Sequence, residues 1–476
     1  MIKTANFFIT IITNILKLLF SALLLGTILL CIKFFNGFDI STIILLLVYP
    51  LLIFTFYNVI KTSKFRNSHK IIFIITVGLI LRILWLLNIN TLPYSDFQVL
   101  YLAAVDLVNG DNSIFQGVNY IARFPHLSYM IVYLSIMIKL FGDSLVAIKI
   151  GNLIFSCITM YLIYKISLEI FDNKLLALST LSMASLFAPL ITYIGVLATE
   201  NLAIPFYLAS IYLFILYTKD KISIYKLIFC GLLLGIGNLF RMVGIITLIS
   251  FIIYIFIFTP KNILDKLKGS LLILSTYFLV LVIGSSLLKT ISITEVNLWQ
   301  GREPKSTSIL KGTNIDSFGR FTPEDAALPE MYNWDYDKVD TAAKALIKER
   351  LTTTPPLKLV IFYAGKFIGQ WVQGDMSGVS WSESGSDNIL FVMSSKAKVV
   401  FQLFYIFIIM LCILSLFNKK RLYNSNPILN LFYIILCGYG TSYLITEMQG
   451  RYAYIVCWLF IIFATSGLEK LIAKKI

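Results

Sequence analysis

The sequence predicts an all-α polytopic membrane protein with about twelve transmembrane helices, interfacial helices and a mixed outer loop region. Three observations predict it. Of 476 residues, 58% are hydrophobic and only 14% charged, whereas a soluble domain carries about a quarter charged residues. Apolar runs of roughly 18 residues or more, enough to cross a bilayer, recur from end to end. The short loops rich in Lys and Arg all fall on one side of a twelve-span count, as loops retained in the cytoplasm do.

In chain order the candidate spans are 11–32, 40–60, 71–89, 148–168, 175–195, 196–217, 226–241, 242–259, 270–288, 396–417, 427–446 and 453–469. The apolar run 7–32 contains Lys17 and precedes no small-residue cleavage site, so it is read as a retained helix and not a signal peptide. The basic loops are 61–70 (Lys61, Lys64, Arg66, Lys70), 219–226 (Lys219, Lys221, Lys226), Lys261 with Lys266 and Lys268, and Lys419 with Lys420 and Arg421. Lys470, Lys474 and Lys475 close the chain. Both termini are expected in the cytoplasm. Parity decides the stretch 126–141, which is apolar but only 16 residues long. As a span it would turn the later basic loops outward, so it is expected to lie in the outer interface or to re-enter the membrane. The stretch 357–372 is read the same way. No loop separates 226–241 from 242–259, which predicts two short helices with Arg241 at the outer turn.

The formal charge of +15 invites a nucleic-acid reading. Residues 290–395, however, hold ten Lys/Arg against thirteen Asp/Glu. The outer face is not basic, the positive charge is largely an orientation signal, and nucleic acid is excluded. All six cysteines lie in apolar runs without a CxxC pair, which argues against disulfides and thiolate metal sites. His69 and His126 are the only histidines, so a His-rich zinc or haem site is excluded while a carboxylate-bound divalent cation is not.

Polar residues cluster at the outer helix ends and outer loops, where a transporter would place them at mid-membrane. That suits an enzyme at the lipid–water boundary. In NTLPYSDFQVLYLAAVDLVNG, Pro93 stops the preceding helix, and Ser95 with Gln98 reads as a capping box opening a helix over 96–109. Asp96 then projects from its first turn. Two readings fit: a general base that takes a proton from an acceptor hydroxyl, or a carboxylate that only stabilises a helix N-terminus.

The run LRILWLLNINTLPYSDFQVLYLAAVDLVNG resembles the first external loop of GT-C glycosyltransferases, particularly the protein O-mannosyltransferase and aminoarabinose-transferase group. ARFPHLSYMIVYLSIMIKLFGDSLVAIKIGNLIFSCITMYLIYKISLEIFDNK resembles that group's interfacial helix, "LFG" turn and second core span. APLITYIGVLATENLAIPFYLAS, GLLLGIGNLFRMVGIITLISF and TEMQGRYAYIVCWLFIIFATSGLEKL resemble later pieces in the same order, carrying Glu200, Arg241 and an E-x-x-x-R-Y start of the last span. The resemblance covers roughly 71–290 and 340–476. It implies the GT-C fold, divided as residues 1–70 (two additional N-terminal helices), 71–290 (core, with first external loop 90–147), 291–395 (extracytoplasmic region) and 396–476 (C-terminal helices). It also implies that Asp96 is the catalytic aspartate, although Phe97 stands where many relatives carry a second acid.

The remaining candidates each have two readings. Glu200 can cap its helix, or orient the acceptor, a divalent cation or the donor sugar. Arg82, inside an apolar span, can snorkel or pair with an outer carboxylate, or serve function. Arg241 and Arg451 can fork onto the phosphate of the donor; Arg451 can instead pair with Glu447 at i,i+4. Arg123 and His126 flank Pro125 in the loop of Asp96, as substrate contacts or structural groups. Lys366 can approach a phosphate or snorkel. Tyr94, Tyr101, Trp299 and Trp381 suit sugar stacking or simply the interface. The run 373–388 reads as a flexible outer loop.

The resemblance implies an inverting transferase of a bacterial plasma membrane, with a polyprenyl-phosphate-linked sugar as donor; no motif in the sequence requires a cofactor, and two outer carboxylates leave a divalent cation open. The acceptor is expected to be an envelope glycan, a lipid-linked oligosaccharide or a protein. Two alternatives stay open: a polysaccharide polymerase or ligase using a polyprenyl-pyrophosphate donor, and a lipid-linked sugar flippase.

Overall fold

The computed structural model describes residues 2–35, 40–62, 64–384, 394–423 and 427–473. Seven helices in it are single rods long and apolar enough to cross a membrane: Lys3–Phe34, Thr42–Lys61, Asn67–Asn88, Leu145–Phe171, Glu200–Thr218, Ile263–Thr290 and Ala397–Ser415. They coincide with seven of the expected spans. Two more are bent pairs, Lys174–Leu186 with Ala188–Gly195 (55°) and Gly450–Val456 with Trp458–Ala473 (61°). The last three are the shorter helices Ile224–Phe240, Gly244–Phe258 and Leu429–Ile445. At 1.5 Å per residue such helices fall short of a hydrocarbon core of about 30 Å. By length and composition the described residues thus hold seven spans, or up to ten with each bent pair as one, against the twelve expected. The third bent pair, Ser113–Arg123 with Pro125–Phe141, turns by 109° at Pro125. Its second limb lies against the Asp96–Val108 helix.

The basic loops gather at one end of the bundle. Arg421 donates to the carbonyls of Ile170 (2.9 Å) and Phe171 (3.0 Å) and forks onto Glu469. Lys219 and Lys221 both reach Glu169, and Lys261 pairs with Asp220. Chain direction then carries Asp96, Glu200, Arg241 and Arg451 to the opposite end, called the outer end below. The first helix packs along the Ser394–Ser415 helix, where the Gln402 amide donates to Thr27 O at 3.1 Å and Val372 O at 2.8 Å.

The bend at Phe187 has a sequence cause. Pro189 has no N–H to give the Ser185 carbonyl four residues back. Arg82, fully buried, fills the gap: it donates to Ser185 O (3.2 Å), Ala184 O (3.4 Å), Gly78 O (2.9 Å) and the Ser156 hydroxyl (2.7 Å). Arg82 therefore neither snorkels nor forms an ion pair among the described residues, contrary to both bland expectations. Carbonyl oxygens freed by the proline satisfy it instead.

The outer region consists of short helices joined by loops: Lys305–Gly312, Pro323–Ala326, Leu328–Met331, Tyr336–Thr353, Pro356–Trp371 and Gly378–Glu383. Leu310, Leu328, Val339 and Ala343 give it a small core of its own. The expected flexible loop 373–388 is a folded turn and helix as far as Glu383, with Met376, Val379 and Ser382 buried; 385–388 lie outside the described residues. Its Ser382 hydroxyl donates to Thr192 O at 2.8 Å, and Tyr193 reaches Met376 O at 2.7 Å. These buried bonds hold what its composition left free.

Asp325 and Arg350 pin this region, at 2.7 Å. Burial pushes the Asp325 carboxyl up, but hydrogen bonds from Arg350 and Asn314 outweigh it and hold the group below the usual carboxylate range. A carboxylate depressed in the folded state stabilises above its unfolded pKa and loses that as pH falls through the folded value. The amide protection factors across 305–353, taken relative to the intrinsic exchange rate at each pH, should therefore fall below about pH 4, and Asp325→Asn should remove that fall.

Candidate active site

Four chain segments build the site. The first is the start of the Asp96–Val108 helix. Ser95 precedes it at φ +53°, away from the extended backbone an N-cap adopts, and its hydroxyl caps nothing. The capping box expected there is absent for that reason. Backbone N–H groups of Gln98 and Val99 reach the Ser95 carbonyl instead. The Asp96 side chain is left 40% exposed, open to a reactant.

The second segment is the buried irregular stretch ahead of the Glu200–Thr218 helix. Backbone without a ladder is tolerated at this depth only when protein groups satisfy it. Asn152 donates to Ile194 O (3.0 Å) and Val196 O (3.3 Å), and Asn201 to Tyr193 O and Val196 O, both at 2.9 Å. Tyr454 holds the Asn201 oxygen at 2.7 Å. Glu200 follows, buried, and accepts from the Thr199 hydroxyl at 3.1 Å.

Arg241 ends the third segment, at the turn between Leu227–Phe240 and Gly244–Phe258. Its Nε lies 3.4 Å from Glu200 Oε1. Tyr207 fixes the turn by donating to the Arg241 carbonyl. Only glycine fits at 237, because a Cβ there would meet the Tyr207 ring at 2.6 Å.

The fourth is the 3-10 turn Gly450–Val456. Arg451 Nη2 donates to Asp96 Oδ2 at 3.1 Å. The guanidinium carbon lies 4.9 Å from the Trp381 ring centre, 5.0 Å from Phe97 and 5.5 Å from Tyr452. Among the described residues its buried Nε and Nη1 find no hydrogen-bond partner. Arg241 stands over the same Tyr452 ring at 5.2 Å. The two pairs, Asp96–Arg451 and Glu200–Arg241, therefore meet around Tyr452.

The other expected site residues are placed as follows. His126 stands within electrostatic reach of Arg241. Arg123 pairs with Glu303 at 3.2 Å and lies 4.8 Å over Trp334, tying the two outer regions together. Tyr101 donates to Asp143, one turn beyond Asp96, and Lys366 is buried on the carbonyls of Gly312 and Leu444. Neither joins the cluster. Glu447 accepts from the Gln449 amide and forms no ion pair with Arg451; it lies ahead of the turn Gly450–Val456, with Gln449 extended between them (φ −139°, ψ 135°), so no helix brings residues four apart together. Tyr94 and Trp299 are exposed, while Trp381 covers Arg451.

Sequence reasoning missed Tyr120, whose hydroxyl donates to Asp96 Oδ1 at 3.3 Å, and the central role of Tyr452. Tyr452 was visible only as the neighbour of Arg451. Among the described residues no three of His, Cys, Asp and Glu come together, and each site carboxylate is engaged by an arginine.

Residues 125–288 match the family model described as dolichyl-phosphate-mannose-protein mannosyltransferase. No curated protein matches the chain in sequence. Among solved structures it is similar to archaeal oligosaccharyltransferase AglB from Archaeoglobus fulgidus in complex with an inhibitory peptide and a dolichol-phosphate. That similarity has 11% identity and a TM-score of 0.48, over 87% of this chain and 51% of that one. The apo oligosaccharyltransferase of Archaeoglobus fulgidus is similar at 12% identity and a TM-score of 0.46, with the same coverage. The chain spans about half the length of these proteins. The family match takes in Glu200 and Arg241 but stops short of Asp96 and Arg451 on either side. Over residues 125–288, roughly a third of its length, this polytopic membrane protein is similar to the dolichyl-phosphate-mannose-protein mannosyltransferases.

Proposed function

We propose that the chain is a GT-C-type glycosyltransferase that moves a sugar from a polyprenyl-phosphate donor to an envelope glycan, lipid-linked or protein acceptor. One observation carries this reading: a half-exposed carboxylate, Asp96, beside a buried guanidinium, Arg451, that keeps two N–H donors free. Asp96 takes the proton of the acceptor hydroxyl as its oxygen attacks the anomeric carbon. The bond from that carbon to the phosphate oxygen breaks, its electron pair leaves with polyprenyl phosphate, and the carbon inverts. Arg451 and Arg241 offset the charge growing on the leaving phosphate. A divalent cation fits poorly, since it would have to take Asp96 from Arg451, and no step is routed through one.

The site is read as extracytoplasmic in a bacterial plasma membrane with both termini cytoplasmic; the gathering of basic loops at the far end supports that sidedness. The test is sugar transfer by the full chain in nanodiscs, from a polyprenyl-phosphate sugar and, separately, from the pyrophosphate form. Transfer from the monophosphate donor is expected. Transfer from the pyrophosphate donor alone would replace this reading with the polymerase or ligase. Arg451→Lys should raise KM for the donor about tenfold, because an ammonium cannot hold Asp96 and a phosphate in one fork.

A further inference from the structure

The outer region carries an open pocket, ringed by lysines, that the transfer chemistry does not use. It lies between the helices Lys305–Gly312 and Tyr336–Thr353 and has a volume of about 510 Å³. Lys305, Ser306, Asp340, Lys344 and Lys348 line it, over an apolar floor of Ile309 and Ile347. Asp340 binds Lys344 at 2.5 Å and the Ser306 hydroxyl at 2.7 Å. Lys305 and Lys348 pair with no carboxylate among the described residues. Three lysines thus face one carboxylate, inside a stretch whose acidic residues outnumber its basic ones thirteen to ten. On the helix Tyr336–Thr353, Asp340, Lys344, Ile347 and Lys348 recur at the spacing of one face. The small core uses Val339 and Ala343 on the adjoining face, so packing does not account for the lysines.

The short helix also connects the cavity to the site. While Lys305, Ser306 and Ile309 face the cavity, Glu303 just ahead of the helix holds Arg123 at 3.2 Å, and Thr307 holds Glu303 at 2.8 Å. Arg123 stacks on Tyr120, which touches Asp96. Ser308 O accepts from Glu447 N at 3.1 Å, four residues before Arg451.

We propose that this cavity binds an anionic group, a phosphate or carboxylate, on the acceptor chain, and so steers the enzyme toward polyanionic glycans. The inference rests on the transferase reading for its meaning but not for its test. The full chain in phosphatidylcholine nanodiscs is titrated with a fluorescent glycerol-phosphate oligomer, with a polyuronate oligomer and with neutral dextran. Wild type and Asp96→Asn should bind the two anionic oligomers alike and dextran at least tenfold more weakly. Lys305→Glu/Lys344→Glu/Lys348→Glu, three changes at exposed positions, should lose at least tenfold in anionic binding while keeping the wild-type unfolding temperature. A milder Lys→Gln triple should fall between. Unchanged binding by the triple variants, or equal binding of dextran, overturns the proposal. So does binding that appears only in phosphatidylglycerol nanodiscs, which would make the cavity a lipid contact. Retained oligomer binding together with full transfer by Asp96→Asn would refute the catalytic reading alone.

Discussion

Asp96→Asn should lower kcat for sugar transfer by about 10²–10⁴, the usual contribution of a positioned general base. The amide has the shape of the carboxylate: its oxygen can still accept from Arg451 Nη2, and its NH2 can donate to the Tyr120 hydroxyl oxygen, with that bond reversed. Folding and donor binding should therefore survive while the ability to take a proton is lost, so KM should move far less than kcat. Asp96→Ala is the poorer probe, because it strips a buried guanidinium of the one carboxylate it pairs with among the described residues and adds a structural cost. Tyr120→Phe removes one 3.3 Å bond and should change kcat by less than about tenfold. The measurement is single-turnover transfer by protein whose unfolding temperature matches wild type. Full activity of such an Asp96→Asn protein ends the mechanism.

Arg82→Lys should destabilise the folded chain by about 2–4 kcal/mol, since each buried polar group left unsatisfied costs about 1–3 kcal/mol. The lysine keeps a charge inside the bundle but cannot span Ser156, Gly78, Ser185 and Ala184 as the guanidinium does. Arg82→Met should cost less than Arg82→Lys, because it removes the buried charge along with its hydrogen bonds. That inverted order, with the conservative change the more damaging, is what thermal unfolding in nanodiscs reads. A lysine variant as stable as wild type would show that the carbonyls at the Pro189 bend do not need Arg82. The bend leads into the stretch that ends at Glu200, so the lysine variant should also lose transfer activity.

Several features were legible without a structure. The apolar runs, the short paired helices around Arg241 and the one-sided basic loops follow from local composition, because lipid selects for apolar length and loop charge segment by segment. Asp96, Glu200, Arg241 and Arg451 stood out as charged residues at the outer ends of apolar helices. Their partners did not. Sequence spacing offered Glu447 to Arg451, yet Arg451 pairs with Asp96, 355 residues away. Spacing offered a capping box at Ser95, but a positive φ turned the hydroxyl aside. The Ser/Gly-rich outer run looked loose, and buried hydrogen bonds to Thr192 and Met376 fold it against the bundle.

What the sequence determined by itself is therefore the membrane class, the seven long apolar helices and the end of the bundle at which the charged site residues collect. Each depends on a residue's own neighbours in the chain and on the solvent around them. Tertiary structure alone decided which carboxylate meets which arginine, that Tyr452 lies between the two pairs, and that Arg82 is satisfied by carbonyls. Those outcomes depend on how helices far apart in the chain pack side by side, and no local period in the sequence carries that information.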